Sequence, residues 1–115
     1  AIDAISSYAF KSKKVGVRYE KYIQQFFPLE YKPYASKIYK LYRNSITHSW
    51  NLFQVGMLPD NTPIQEVKGT MVLGLHHLLN ALEISINTFL NDLQSDVSLQ
   101  NASVSRYTKL KKTAV

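Results

Sequence analysis

The segment from Met71 to Leu93 sets the terms on which this chain can fold. Leu75, Leu78, Leu79, Leu82, Ile86, Phe89, Leu90 and Leu93 recur at three- and four-residue steps, which is the spacing of one face of an α-helix. So wide an apolar face predicts a long central helix, opened by Gly69-Thr70 and buried on more than one side. His76, His77, Asn80, Glu83, Asn87 and Asp92 interrupt the same segment, and so many polar groups argue against a membrane span.

The remaining helices follow from the same periodicity. Val15, Tyr19, Tyr22, Ile23, Phe26 and Phe27 mark an amphipathic helix that Pro28 stops. Pro33 suits the first turn of a second helix, running from about Lys32 to near Phe53, with Tyr34, Ile38, Leu41, Ser45 and Leu52 in one stripe flanked by Ile46 and Phe53. Residues 1–14 are weakly patterned and read as a short helix and loop or as a frayed terminus. Ser95 or Asp96 can cap a last helix through Val97, Leu99, Val104, Tyr107 and Leu110, ending in the basic tail Lys109–Lys112.

Between the second helix and the central one, residues 54–69 change character. Pro59-Asp60-Asn61-Thr62-Pro63 is turn chemistry, and the alternation of Phe53, Val55 and Met57 suggests a small hairpin, Phe53–Leu58 against Ile64–Val67. The expected fold class is therefore all-α: an up-and-down helical bundle of about four helices with a short irregular or hairpin excursion after the second. At 115 residues the chain reads as one domain, 1–115.

Composition removes several classes of function. There is no cysteine, so neither a disulfide framework nor a thiolate metal site can form. No basic segment leads into an apolar one at the start, and a cytoplasmic protein is the expectation. The net charge of +6 is uneven. Residues 1–48 carry nine basic side chains against three acidic ones, whereas residues 49–115 carry five of each. A polyanion such as RNA would be drawn to the first half, unless that charge is only a solvated surface.

Among candidate chemistries, His76-His77 is the first to weigh. Adjacent helical positions point about 100° apart and chelate one ion poorly, so one of the pair is expected to be a core or rim histidine with a satisfied hydrogen bond. Phosphate-loop, dinucleotide and Gly-x-Ser-x-Gly signatures are missing, and no cofactor or metal is expected. What remains is Tyr42-Arg43-Asn44-Ser45-Ile46-Thr47-His48-Ser49-Trp50. Asn44 and His48 are one helical turn apart, so the amide can hydrogen-bond the imidazole and fix its tautomer. Arg43 lies about 100° round, but its long fork can swing to the same space.

A group that titrates near neutrality and a permanent cation are what RNA cleavage without a metal requires. One moves a proton at the 2′-hydroxyl or the leaving oxygen, and the other stabilises charge at phosphorus. Lys37 and Lys40 lie one to two turns before the motif and can meet phosphates. Tyr39 and Tyr42 can stack on a base, or pack between helices.

Tyr42-Arg43-Asn44-Ser45-Ile46-Thr47-His48 resembles the Arg-polar-x-x-x-His motif of HEPN domains, small helical domains of prokaryotic toxins, defence systems and CRISPR-associated ribonucleases. The likeness runs over about residues 15–110 in helix order, with its specificity in the motif; Ser45 stands where a small apolar residue is expected. The resemblance implies an up-and-down bundle that forms a homodimer with the two motifs facing each other. It further implies metal-independent endoribonuclease activity with Arg43 and His48 catalytic and Asn44 orienting or polarising. It brings RNA as a partner, and a protein antitoxin in a toxin–antitoxin or phage-defence setting. Members that have lost activity make a non-catalytic dimerisation, interaction or RNA-binding module the alternative.

Overall fold

A computed structural model of the chain describes residues 2–48 and 56–113, with side chains described through Arg43 in the first stretch and through Lys112 in the second. Among these residues the elements run α1 (Ile2–Ala9), α2 (Val15–Phe26), a 3-10 turn (Leu29–Tyr34), α3 (Ala35–His48), β1 (Met57–Leu58), β2 (Gln65–Val67), β3 (Thr70–Gly74), α4 (Leu75–Leu93) and α5 (Val97–Thr113). The protein is mostly helical, as its periodicity predicts, but it is not a pure all-α bundle of about four helices. Among the described residues, five helices and a three-stranded sheet stand in its place.

α2 is the hub. Its buried face, Tyr19, Tyr22, Ile23 and Phe26, meets α1, α3 and α4. Phe26 sits edge-on to Phe89 of α4 with ring centroids 5.3 Å apart, and Phe27 packs edge-on to Tyr31 at 5.4 Å. Such edge-to-face pairs add to the area they bury. The helix stops before Pro28, as expected, and the chain tightens into the 3-10 turn that holds Pro33 before α3 begins at Ala35. The expected start at about Lys32 therefore precedes α3 by one turn, and the expected continuation to Phe53 lies outside the described residues. Residues 2–14 form a true helix, α1, and a connection; Ser103 Oγ of α5 donates to the Tyr8 carbonyl at 3.0 Å and ties α1 to α5. Asp96 caps α5, its Oδ1 accepting from the Leu99 amide at 3.2 Å.

The largest correction concerns residues 57–74. The hairpin expected between Phe53–Leu58 and Ile64–Val67 does not form: β1 pairs in parallel with β3, and β2 pairs antiparallel with β3, so the order is β1-β3-β2. Phe53 to Val55 lie outside the described residues. The turn that builds the true hairpin is Lys68-Gly69, both with positive φ (50° and 79°), between the paired residues Val67 and Thr70. That is the backbone of a two-residue primed turn, and Lys-Gly lacks the usual Asn-Gly signature. Thr70 to Gly74 were expected to open the central helix but form the middle strand, because a short apolar run satisfies a buried strand as well as a helix.

α4 consequently starts at Leu75, and the turn residues between β1 and β2 cap it. The Asp60 carbonyl accepts from the His76 amide at 3.0 Å, and the Thr62 carbonyl from the Gly74 amide at 2.7 Å. The loop backbone at Asp60 and Thr62 runs so close to Gly74 that a Cβ there would collide with it. The wide apolar face of α4 is covered only in part: Phe89 and Ala81 are buried, but Leu79 is 53% and Leu90 49% exposed. α5 likewise turns Val97, Val104 and Tyr107 outward and packs through Leu99 and Ala102. None of the described helices is long and apolar enough to cross a membrane.

Candidate functional site

The expected site falls on α3, which is helical without a break from Ala35 to His48. Ala35 and Ile38 are buried against the core, and Tyr39 and Tyr42 lean on α2. Tyr42 stacks on Tyr19 at 5.0 Å, Tyr39 meets the same ring at 5.2 Å, and Gly16 leaves the space that the Tyr39 ring fills. The Tyr42 hydroxyl donates to Asp3 Oδ2 at 3.1 Å, so the motif helix is tied to α1 as well as α2. Burial, then the bond to Asp3, pushes the Tyr42 phenol up; burial pushes Tyr19 up further, so both rings remain neutral.

With that face committed to packing, helical register distributes the other positions. Positions 37, 40, 44 and 48 run down the side of α3 away from Ala35, Ile38 and Tyr42, and Arg43 lies between the two sides. Arg43 and Lys40 are exposed. Lys37 is exposed too, and its Nζ pairs with Glu66 Oε1 of β2 at 3.2 Å, which brings the sheet to the first turn of α3. An exposed pair of this kind contributes little stability, about 0–1 kcal/mol. The side chains of Asn44 and His48, with all of Ser49 and Trp50, lie outside the described residues.

Of the two aromatics named for base stacking, both are half-buried and packed on Tyr19, which is the inter-helix role their spacing also predicts. The adjacent histidines separate in the expected way. His76 is exposed, while His77 is half-buried with its Nδ1 hydrogen-bonded to the Tyr31 hydroxyl at 2.5 Å and its ring stacked on Tyr31. Among the described residues no group of three His, Asp or Glu side chains could hold a metal ion.

A second gathering of basic groups escaped the sequence reading. Arg106 and Lys109 of α5 stand beside Lys11, Lys13 and Arg18 around one cleft. Counting charge by halves of the sequence hid this, because the fold returns a neutral half's cations to the basic half. The three-residue step from Arg106 to Lys109 on one helix face was the available signal.

No protein-family model matches the chain, and no curated protein or solved structure shows a significant likeness to it.

Proposed function

We propose that this chain is a metal-independent endoribonuclease of HEPN type that works as a homodimer, with Arg43, Asn44 and His48 as its site. The observation that carries the reading is the unbroken run of α3 through His48. The three positions then lie on one helix, with 44 and 48 a single turn apart by helical register on the side opposite Ala35 and Ile38. Arg43 is exposed, and Lys37 and Lys40 precede it on the same helix, where they can meet neighbouring phosphates.

In this mechanism an imidazole takes the proton of the 2′-hydroxyl, and the 2′-oxygen attacks phosphorus. The P–O5′ bond breaks, and the leaving oxygen accepts a proton, which leaves a 2′,3′-cyclic phosphate and a 5′-hydroxyl. Arg43 neutralises charge on the phosphoryl oxygens as it builds. One histidine cannot be base and acid in the same step, and a dimer with facing motifs supplies two. Leu79, Ile86 and Leu90 form a stripe on α4, with Leu79 and Leu90 well exposed and Ile86 half-buried, and this supports a second copy as the partner. The toxin–antitoxin or phage-defence setting belongs to the same proposal and rests on the motif's likeness.

The deciding experiment is cleavage of single-stranded RNA by wild type, His48→Ala and Arg43→Ala, with and without EDTA. Activity that survives EDTA and disappears in both variants is expected. Cleavage that EDTA abolishes, or that both variants retain, would end the proposal.

The second reading is a non-catalytic helical interaction or RNA-binding module. The packing of Tyr39 and Tyr42 on Tyr19 and the pairing of Lys37 with Glu66 favour it, since they assign structural work to groups near the motif. Salt-sensitive RNA binding with no cleavage in any form of the protein is its signature.

A further inference from the structure

Six of the nine cations of residues 1–48 lie off the motif helix. Four of them, Lys11, Lys13, Lys21 and Lys32, line two grooves that share one wall residue, Phe10. The first groove, with Lys11 and Lys13, runs between the α1–α2 connection and α5. The second, with Lys21 and Lys32, runs between that connection, the second half of α2 and the 3-10 turn. No described carboxylate lines either groove, Glu20 and Glu30 included, and none of the four lysines pairs with an acid among the described residues. The Phe10 ring is half-buried and packs tilted on Phe26, with centroids 6.3 Å apart. Its amide donates to the Ser6 carbonyl at 3.0 Å, and Arg18 Nη1 donates to the Ser12 carbonyl at 2.7 Å. The connection that carries Phe10, Lys11 and Lys13 is thus tied to a helix on each side.

Lysines on both sides of an aromatic ring match a chain of phosphates that carries flat bases. A duplex keeps its bases stacked inside, out of the ring's reach, so the ring selects an unpaired strand. Gln24 and Gln25, exposed in the second groove, add donors and acceptors for base edges. Lys21 Nζ lies 6.0 Å from the centre of the Phe10 ring, at the outer limit of a cation–π contact. Being exposed, that side chain can yield the ring to a base and keep its charge beside the adjoining phosphate. An anionic membrane would use the lysines but gives the ring nothing to stack on. We propose that the face around Phe10 binds a single-stranded polynucleotide, its backbone passing from one groove to the other while a base stacks on the ring. No residue of α3 lines either groove, so this site goes beyond the ribonuclease reading and holds whether or not the chain cleaves RNA.

The test is fluorescence anisotropy of the full chain with a labelled 2′-O-methyl oligouridylate, which has no free 2′-hydroxyl and so reports binding without cleavage. Binding that weakens with salt is expected. Lys13→Gln and Lys21→Gln should each weaken it several-fold at low salt and lower the salt slope by about 0.7, the value for one phosphate contact of a single strand. Phe10→Leu keeps an apolar contact with Phe26 and should weaken binding about tenfold with the salt slope unchanged. Circular dichroism reports whether the variants fold. Should Phe10→Leu fail to, an abasic strand of the same length must still bind the wild type about tenfold more weakly than the oligouridylate. Competition by unlabelled oligouridylate alone assigns the face to RNA, and competition by oligothymidylate as well assigns it to either kind of single strand; both support the proposal. It is overturned by absence of binding, by groove variants and Phe10→Leu that bind as the wild type does, or by an RNA duplex or a phosphatidylserine vesicle competing as well as the single strand. Loss of binding in Lys40→Gln with the groove variants unaffected would put the strand on α3, which overturns this site and leaves the ribonuclease reading standing.

Discussion

Tyr22 and Ser85 are both fully buried, at 0% exposure, and their hydroxyl oxygens lie 3.1 Å apart across the α2–α4 contact. Ser85 Oγ also lies 2.6 Å from the Leu82 carbonyl, which can only accept. The serine proton is therefore spent on Leu82, and Tyr22 is the donor of the pair.

That direction orders the effects of mutation. Ser85→Ala strands the Tyr22 hydroxyl in the core and should cost about 1–3 kcal/mol, slightly offset by the better helix propensity of alanine. Tyr22→Phe leaves Ser85 bonded to Leu82 and should cost about 1 kcal/mol or less. The double variant should be more stable than Ser85→Ala alone, which urea unfolding of all four proteins will measure. A double variant less stable than both single ones would contradict the assigned donor.

Two glycines with positive φ should differ sharply. Gly69 (φ 79°) has open space around it, and alanine there should cost about 1–2 kcal/mol through backbone strain alone. Gly56 (φ 103°) would add a collision of its Cβ with the Met71 carbonyl, so Gly56→Ala should cost about 3 kcal/mol or more. Lys68→Asn, which suits the primed turn, should stabilise by about 0.5 kcal/mol. Thermal melts of the three variants check the order.

The Asp60 side chain accepts from the Thr62 hydroxyl at 2.5 Å and the Thr62 amide at 2.9 Å, and these bonds, the hydroxyl's first, hold its carboxyl below the usual carboxylate range. A lowered folded-state value gives a stabilising contribution that is present above the ordinary range and is lost as pH falls through it to the folded value. Thr62→Val should return Asp60 toward the ordinary value, as read by carboxyl NMR titration. The stability difference between the two proteins should shrink on acidification; a difference that grows instead would contradict this origin.

On the motif helix, Arg43 is exposed, so Arg43→Ala should change stability by less than about 1 kcal/mol. If the ribonuclease proposal holds, Arg43→Lys should lose most of the activity while keeping the charge, because an ammonium lacks the planar fork. Full activity in Arg43→Lys would reduce the arginine to a point charge.

Leu79→Glu and Leu90→Glu place charge on the exposed stripe of α4. Both should shift sedimentation toward monomer while leaving the melting temperature of the dilute protein almost unchanged. Wild-type protein that stays monomeric at every concentration would remove the homodimer from the proposed mechanism.

Local chemistry along the chain is enough to encode helices and their ends. Tyr22, Ile23 and Phe26 with Pro28 behind them define α2 and its end, Asp96 starts α5, and Arg43, Asn44 and His48 fall on one helix because the periodicity of α3 includes them. Tyr39 and Tyr42 showed both of their possible uses at that level, and only the arrival of Tyr19 from α2 decided for packing. Thr70 to Gly74 became a strand because Met57 and Leu58 lie parallel on one edge and Gln65 to Val67 antiparallel on the other, partners that no local pattern announces. Arg106 reaches Lys11 and Arg18 for the same reason. Propensity and capping act within one or two turns of chain, whereas pairing and charge convergence depend on which distant segments the fold brings into contact.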